Sequence, residues 1–358
     1  MKAWRTYGKG DMRLDEVPMP QVKPGWVLVK MKTIQVSVTE VALFQGTSGN
    51  IEKQLEEESP RQLLGHEFCG EVIEVGENVT SLSKGDRVSY CCSVSCHECA
   101  LCLAGYEDLC CKGPKLGLDM PGILAEYAIL PAAGLVVLPD SVTDSEGAAL
   151  QPLAGTLSAI ALVGVEMGDT VAVLGQGSMG LNATQICRVC GAGRVIGIDI
   201  TQNNLDMSKK LGADMVINAK TVDPIEAVID ATHGVGADLV VECAGGSPKQ
   251  GLSGTSALSQ AMQMVRDKGR ISQIALLGAN AQVDISPLNQ SGVMYRGLSS
   301  GSRKLANYAV DLVATKRVQL APLVTHELEG LDKMLEAIEI TGNKAKYGAI
   351  NPAQVKVA

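Results

Sequence analysis

The segment DTVAVLGQGSMGLNATQICRVCGAGRVIGIDI, residues 169–200, constrains the fold more than any other stretch of the chain. Its apolar run is followed by a glycine-rich turn, by apolar residues at helical spacing and by a second apolar run. This order predicts a strand, a turn, a helix and a strand. The alternation continues through a predicted helix at 255–269 and a predicted strand at 270–276. The sequence therefore predicts an α/β domain with a parallel sheet and helices on both faces.

Three glycines in this turn follow the spacing G-x-G-x-x-G: Gly175, Gly177 and Gly180. A lone match to this spacing is not specific, but here it follows a predicted strand and opens a predicted helix. We expect Gly175 to permit the tight turn, Gly177 to let a pyrophosphate approach the backbone, and Gly180 to let the helix pack on the strand. The alternative is a glycine-rich turn in an unrelated α/β domain.

The start of the helix and the end of the next strand supply the other predicted cofactor contacts. The N–H groups around Ser178 and Met179 are expected to face phosphates at the positive end of the helix. Asp199, at the end of the next strand, is expected to accept hydrogen bonds from ribose hydroxyls. Because a carboxylate there repels an additional phosphate, the sequence favours NAD over NADP.

Cysteines are concentrated between positions 91 and 111, which hold seven of the eleven in the chain. Within CHECALCLAGYEDLC, spacers of two, two and seven residues separate Cys96, Cys99, Cys102 and Cys110. Four thiolates from one loop can close a tetrahedron around zinc, so we predict a structural zinc site. An iron–sulfur site and reduced thiols without a metal are the alternatives, and Cys111 is expected to be a spectator.

The first 150 residues have a different character, because short apolar runs alternate there with Gly, Pro and Asp. The runs WVLVKMKTIQV, GEVIEVG, DRVSYCC and AEYAILP are typical of strands. Helical spacing is evident there only in the acidic segment NIEKQLEEESPRQ. This part of the chain is therefore predicted to consist mainly of strands.

Charge and hydropathy exclude several classes of function. The net charge is −8, and phosphate backbones repel an acidic chain, so nucleic-acid binding is not expected. No apolar run reaches the ~18 residues of a membrane-spanning helix, and the first residues lack the features of a secretory signal. We expect a cytoplasmic protein with a small-molecule substrate and no membrane partner.

Taken together, these motifs resemble the zinc-containing medium-chain dehydrogenase/reductase family, in particular its sorbitol, butanediol and threonine dehydrogenases. The resemblance is carried by GHEFCGEVIEVGENV, GDRV, the four-cysteine segment, AEYAILP, LPDSV, PLAGTLSAI, VAVLGQGSMG and VVECAGG. It implies a GroES-like β domain over 1–150, a Rossmann NAD-binding domain with a doubly wound parallel sheet over 151–295, and a return to the catalytic domain over 296–358. It also implies a homodimer or a homotetramer.

The same resemblance implies a catalytic site in the first domain. Members of the family hold a catalytic zinc with a cysteine, the histidine of GHE and a glutamate, and a hydroxyl relays the substrate proton. The positions that match these roles are Ser37, Thr39, His66, Glu67 and Gln151. Glu40 matches an aspartate that lies behind the histidine ligand in the family.

Two of these positions depart from the family. Ser37 replaces the cysteine and Gln151 replaces the glutamate of EPL, so neutral groups stand where the family has anionic ligands. A neutral hydroxyl is a poor substitute for a thiolate on zinc. The sequence leaves open whether a metal binds among Ser37, His66, Glu67 and Gln151. In a site without metal, His66 or Thr39 must stabilise negative charge on the substrate oxygen.

Two further strand ends are expected to line the nicotinamide, because ligands of open sheets bind at the carboxyl ends of the strands. Glu242 and Gly245 follow one strand, and Leu277 and Gly278 follow another. For Glu242, a purely structural carboxylate is the alternative.

The predicted function is NAD-dependent transfer of a hydride between the nicotinamide and a secondary alcohol or ketone, such as a polyol or a cyclitol. A reductase of activated double bonds that lacks catalytic zinc is one alternative. A non-catalytic dinucleotide-binding protein is the other.

Overall fold

The computed structural model describes residues 1–47, 55, 59–246, 253–277, 281–297 and 301–357. In chain order, the strands in this part of the chain are β1 (Lys2–Gly8), β2 (Asp11–Glu16), β3 (Trp26–Gln35), β4 (Glu67–Val75), β5 (Arg87–Tyr90), β6 (Tyr127–Pro131), β7 (Leu135–Val137), β8 (Thr170–Leu174), β9 (Arg194–Asp199), β10 (Met215–Asn218), β11 (Ala237–Glu242), β12 (Val265–Gln273), β13 (Met294–Gly297), β14 (Glu327–Glu329) and β15 (Gln354–Lys356). The α-helices are α1 (Val38–Phe44), α2 (Ala100–Leu103), α3 (Asp144–Ala148), α4 (Leu150–Val163), α5 (Ser178–Val189), α6 (Gln202–Lys210), α7 (Pro224–Ala231), α8 (Ser256–Met264), α9 (Ser286–Gln290), α10 (Arg303–Ala314), α11 (Met334–Gly342) and α12 (Lys344–Tyr347).

The chain divides into two compact units. The first contains Met1–Gln151, Ser300–Ala314 and Leu320–Ala358, and the second contains Pro152–Ser299 and Thr315–Gln319. The second unit is therefore inserted into the first, and it takes up a short stretch that the sequence assigned to the returning segment.

That short stretch is tied to the second unit by a buried amide. The side chain of Gln185, in α5, accepts a hydrogen bond from the N–H of Gln319 at 2.8 Å and donates one to its carbonyl at 3.2 Å. A pair of contacts of this kind leaves no hydropathy pattern, which is why the sequence placed all of 296–358 in the first domain.

The first unit is built on a seven-stranded sheet in the order β14-β15-β3-β4-β5-β7, with β6 also paired to β3. β1 and β2 form a separate antiparallel pair. Most residues of β3 and β4 are buried, and Met31, Ile34 and Phe68 are fully buried in the core. The four strands predicted from WVLVKMKTIQV, GEVIEVG, DRVSYCC and AEYAILP are confirmed as β3, β4, β5 and β6.

The second unit is a six-stranded parallel sheet in the order β10-β9-β8-β11-β12-β13. The chain moves outward from β8 to β9 and β10 on one side, and then returns to β11 on the other side. The order reverses between β8 and β11, so their carboxyl ends define a topological switch point, where ligands of such sheets bind.

Two predictions of helices need comment. The predicted helix at 255–269 is wrong in its second half, because α8 ends at Met264 and β12 begins at Val265. Val265 pairs with Ala237 in the sheet, and Lys268 has a left-handed φ of 55° that a helix does not allow. The predicted helix in the acidic segment at 50–62 falls mainly on residues outside the described part.

Hydropathy along the helices bears on membrane association. None of the helices in the described ranges is both long enough and apolar enough to cross a bilayer.

Candidate active site

Helix α1 begins at a cap that uses the hydroxyl of Ser37. The Ser37 Oγ accepts a hydrogen bond from the N–H of Thr39 at 3.1 Å, and the N–H of Ser37 donates to Glu40 Oε2 at 2.8 Å. These reciprocal contacts form a capping box, which satisfies donors that the first turn of a helix leaves unpaired. Ser37 is buried and serves the helix, whereas Thr39 is exposed. The sequence reading did not predict this helix.

Glu40 is buried against His66 and sets the orientation of the imidazole ring. Its Oε1 lies 2.7 Å from His66 Nδ1 and accepts from the N–H of Gly65 at 3.2 Å. Burial lowers the pKa of His66, but the charge and the hydrogen bond of the Glu40 carboxylate outweigh burial and raise this pKa to about 9. Burial raises the pKa of Glu40, but the charge of His66 outweighs burial and lowers this pKa below its usual value. Because Nδ1 is engaged by Glu40, Nε2 is the nitrogen that can act on a ligand.

Glu67 is the second carboxylate beside this histidine. Its Oε1 lies 3.8 Å from His66 Nε2, and its Oε2 accepts a hydrogen bond from Gln35 Nε2 at 2.5 Å. Burial raises the pKa of Glu67 to about 7, and the nearby charge of Glu40 adds to the increase, whereas His66, Gln35 and Lys344 oppose it. A carboxyl group in this state exchanges its proton near neutral pH.

Gln151 is not brought to this pair by any hydrogen bond found in the described residues. It lies half-buried in the first turn of α4. Of the predicted site residues in the first unit, the structure brings together Ser37, Thr39, His66 and Glu67, with Glu40 behind the histidine.

The donors around His66 fit a closed four-ligand zinc site poorly. His66 and Glu67 supply one nitrogen and one oxygen, while the Ser37 Oγ is a neutral hydroxyl that already accepts a hydrogen bond in the helix cap. Within the described ranges, the four cysteines are the one set of three or more His, Cys, Asp or Glu residues whose ligand atoms all lie within 4.8 Å of one another. The donor set around His66 is therefore weaker for zinc than the set of four cysteines.

The four predicted cysteines do form a ligand cluster. Cys99 Sγ and Cys102 Sγ are 3.5 Å apart, and Cys96 Sγ is 3.9 Å from Cys102 Sγ. Backbone N–H groups point at the sulfurs, as Gly113 N does at 3.1 Å from Cys110 Sγ. Such contacts stabilise thiolates, and backbone hydrogen bonding lowers the pKa of Cys99 to about 5. The donor set fits a tetrahedral zinc ion.

Neighbours of the cluster are not part of it. Cys111 is exposed and lies outside the set of four. His97 is also exposed, and its Nδ1 lies 3.3 Å from Glu107 Oε1.

In the second unit, the turn between β8 and α5 has the geometry that a pyrophosphate requires. Gly175 has a φ of 82°, and a Cβ added to Gly180 would lie 1.7 Å from the carbonyl oxygen of Gly175. Both glycines are therefore explained by the fold alone. A Cβ added to Gly177 would meet no described atom within 4 Å. The protein leaves open space at that position, as expected where a ligand approaches the backbone.

The first turn of α5 has an N-cap without a side chain. Gly177 occupies this cap and offers no acceptor to the N–H groups of the first turn, where Ser178 and Met179 lie. Donors at a helix N-terminus that lack a capping side chain attract anions, and the helix dipole adds to the attraction. The residues present thus fit a dinucleotide phosphate.

Asp199 lies at the end of β9, half-exposed beside the same turn. Its Oδ2 accepts from the N–H of Gln176 at 2.6 Å and from Asn204 Nδ2 at 3.3 Å, and its Oδ1 accepts from the N–H of Thr201 at 2.7 Å. A carboxylate has about four acceptor positions, so capacity for a ribose hydroxyl remains. Gln176 and Asn204 orient Asp199 through these hydrogen bonds, and neither was predicted from the sequence.

Glu242 is fully buried at the end of β11, and protein donors occupy both of its oxygens. Its Oε1 accepts from the N–H of Ala244 at 2.7 Å and from that of Gly245 at 2.5 Å, and its Oε2 accepts from the side chain of Gln273. These contacts favour the structural alternative for Glu242. A Cβ on Gly245 would lie 2.9 Å from Leu277 Cδ2, so the two predicted strand ends do meet. Gly278 lies outside the described residues.

Comparison with known proteins agrees with this geometry. Residues 23–140 match the alcohol dehydrogenase GroES-like domain, and residues 178–315 match the zinc-binding dehydrogenase domain. The chain is 30% identical over 337 residues to an L-threonine 3-dehydrogenase from Bacillus licheniformis, with 92% of each chain covered. It is 33% identical over 340 residues to a sorbitol dehydrogenase from Halalkalibacterium halodurans, covering 93% of this chain and 94% of that one.

A solved structure extends the comparison to the whole fold. A zinc-binding dehydrogenase from Sinorhizobium meliloti bound to NADP aligns with a TM-score of 0.86 at 26% identity, covering 99% of this chain and 98% of that one. The fold and the turn at 175–180 define a nicotinamide-dinucleotide-dependent oxidoreductase. The chain belongs to the zinc-binding medium-chain dehydrogenase family, as its motifs predicted, and it combines the GroES-like and Rossmann folds of that family.

Proposed function

We propose that the protein transfers a hydride between NAD and a secondary alcohol or its ketone, with a small polyol, a cyclitol or a similar hydroxylated metabolite as substrate. The observation that carries the proposal is the open backbone at Gly177, beside a helix start without a capping side chain and a half-exposed Asp199. When bound there, the dinucleotide supplies the hydride acceptor or donor. Relatives named threonine and sorbitol dehydrogenases support an alcohol substrate.

The choice of NAD rests on Asp199. A phosphate on the adenosine ribose would bring negative charge next to this carboxylate, and the segment ITQNN that follows contains no arginine to balance it. The S. meliloti relative binds NADP, so the preference of this chain must be measured directly. We expect the dissociation constant for NADP to exceed that for NAD by at least tenfold, or about 1.4 kcal/mol.

The groups around His66 supply the proton chemistry in this proposal. The imidazolium held by Glu40 can donate from Nε2 to an oxygen on which negative charge develops. Thr39 offers an exposed hydroxyl on the first turn of α1 for passing a proton to solvent. We propose His66 and Thr39 as the catalytic groups, and Glu67 as the carboxylate that tunes His66.

A second candidate function is favoured by one observation. The Ser37 hydroxyl caps α1, and a neutral hydroxyl is a poor ligand for zinc. A chain whose site uses no metal can instead reduce an activated C=C or C=O bond, with His66 as the proton donor. A non-catalytic dinucleotide-binding role is the third possibility, and the buried Glu40–His66 pair is hard to explain under it.

One series of measurements separates the three functions. Calorimetric titration with NAD and NADP comes first, and absence of binding to both would refute all of them. Turnover is then measured on panels of secondary alcohols, ketones and enones, before and after treatment with a chelator that leaves the cysteine site filled. Alcohol turnover supports the main proposal, enone turnover alone supports the second, and binding without turnover supports the third.

The proposal also includes the cellular location and the oligomeric state of the enzyme. We place it in the cytoplasm, because the cysteine cluster holds a metal only while its thiols stay reduced. We also propose a homodimer or homotetramer. β13 ends the six-stranded sheet, and its residues, among them Met294 and Tyr295, are exposed, which is the kind of edge that a second chain can pair with. Light scattering of the purified protein tests this.

A further inference from the structure

Three side chains form a row across strands β15, β3 and β4, and the row ends at Glu67. Gln354 is the register partner of Gln35, and Gln35 is the register partner of Glu67. Register partners on neighbouring strands project from the same face of a sheet. Glu67, the carboxylate of the proposed site, is therefore the last side chain in a row that begins with the amides of Gln354 and Gln35.

Hydrogen bonds run along this row and fix the direction of each amide. Gln35 Oε1 accepts from Asn351 Nδ2 at 2.7 Å and from Gln354 Nε2 at 3.0 Å. Because two donors converge on this atom, it must be the oxygen, and the NH2 group of Gln35 must face Glu67. Gln35 Nε2 donates to Glu67 Oε2 at 2.5 Å. Gln354 Nε2 is held in turn by the carbonyl of Ser145 at 2.9 Å.

Burial makes the arrangement rigid. Gln35 and Gln354 are 0% exposed, Asn351 is 2% exposed and Glu67 is 5% exposed. An amide that turned away from its partners here would leave further buried polar atoms unpaired, in addition to Gln354 Oε1, which has no hydrogen-bond partner among the described residues. The two bracing residues come from the segment that follows the inserted unit, more than 300 positions from Gln35 in sequence.

We propose that Gln35 is a positioning residue for the reaction, which holds Glu67 by Oε2 and leaves Oε1 directed at His66 Nε2. This inference deepens the proposed function and rests on it in one respect, namely that the His66–Glu67 pair acts on the substrate. Asn351 and Gln354 brace Gln35 through its Oε1. The free oxygen of Glu67, 3.8 Å from His66 Nε2, is thereby kept at a fixed distance from the nitrogen that faces the ligand.

The test replaces the donor while keeping its volume. Gln35→Met should lower kcat by about 10–100-fold, the usual effect of removing a group that orients a site residue, while the dissociation constant for NAD stays unchanged. The matched control is Gln185→Met, which also removes a buried amide with hydrogen bonds at both ends, but in the second unit. It should leave kcat within about twofold of the wild type. Should Gln35→Met fail to fold, Asn351→Leu removes one brace and should lower kcat in the same way.

The outcomes separate this inference from the proposed function. If the wild type turns over and Gln35→Met has the same kcat, the positioning role is refuted and the proposed function stands. If the wild type turns over no substrate, the proposed function fails. Crystal structures of both proteins then decide the inference, because an unmoved Glu67 side chain in Gln35→Met would overturn it, and a displaced one would support it.

Discussion

Substituting two glycines of one turn separates the requirements of the fold from those of the ligand. Gly177 and Gly180 are three residues apart at the start of α5. A methyl group added to Gly177 would meet no described atom within 4 Å, whereas one added to Gly180 would lie 1.7 Å from the Gly175 carbonyl oxygen. We therefore expect Gly177→Ala to impair cofactor binding with little change in stability, and Gly180→Ala to impair stability first.

The magnitudes follow from local geometry. Gly177 has φ −75° and ψ −165°, which other residues can adopt. At an N-cap, alanine lowers the free energy of unfolding relative to glycine by less than about 1 kcal/mol. Alanine also restricts the unfolded chain, which raises the free energy of unfolding by about 0.4–1 kcal/mol. At Gly180 the added methyl must push helix and strand apart by more than 1 Å to reach an ordinary contact distance, which costs roughly 3 kcal/mol or more. At about 2–4 °C per kcal/mol, Gly180→Ala should melt about 6–12 °C below the wild type.

The assays are differential scanning fluorimetry and calorimetric titration with NAD. Gly177→Ala should melt within about 4 °C of the wild type and bind NAD at least tenfold more weakly, a loss of about 1.4 kcal/mol. Gly180→Ala serves as the control for damage to the fold. Wild-type NAD affinity in a well-folded Gly177→Ala protein would show that the cofactor does not approach this backbone, and the argument from the open space would be refuted.

Three further predictions concern the metal sites and the pH dependence. Cys110→Ser should lose the zinc of the cysteine cluster and Cys111→Ser should keep it, as measured by atomic emission; equal zinc contents would contradict the assigned ligands. Ser37→Cys should raise zinc from about one to about two per chain if a thiolate completes the second site, and it should cost about 1 kcal/mol of stability through the lost cap; unchanged zinc shows that no metal site can be restored there. Because its pKa is raised to about 9, the stabilisation from His66 is complete below its unfolded pKa near 6.5 and is lost as pH rises through 9. Urea unfolding should show this loss between pH 7 and pH 9, and His66→Gln should flatten it.

Much of the second unit could be predicted because its signals are local. Each strand and helix of an α/β unit has its own hydropathy period, and the glycine spacing marks one turn with defined backbone geometry. The helix prediction was wrong where the hydrophobic period does not change sharply between helix and strand. Residues 265–269 continue a plausible helical spacing, but strand pairing of Val265 with Ala237 and the left-handed Lys268 turn this stretch into β12. Long-range pairing of this kind outweighs local preference.

In the first unit, the sequence pointed to the pair His66 and Glu67 but not to the hydrogen bonds that hold the pair. The motif that contains His66 and Glu67 is contiguous in sequence, so the pair could be found. Gln35 and Asn351 are 316 positions apart and meet only because β15 pairs with β3. The role of Ser37 was equally hidden, because the same residue can be read as a substituted ligand or as an N-cap. The hydrogen bond that its Oγ accepts from the N–H of Thr39 establishes the N-cap.

The helix cap and the charge state of the site are connected through Glu40. This one carboxylate closes the capping box on Ser37 with Oε2 and holds His66 with Oε1. A metal ion in the site would require neutral imidazole at His66 and an ionised Glu67, so its binding would release the protons that their raised pKa values favour. Without a metal, His66 can supply the positive charge needed beside a developing oxyanion. Its Nδ1 is paired with Glu40, and the charge of Glu67 near Nε2 also affects its pKa. We therefore propose that His66, held by Glu40, carries the proton chemistry if Ser37 and Gln151 do not complete a metal site.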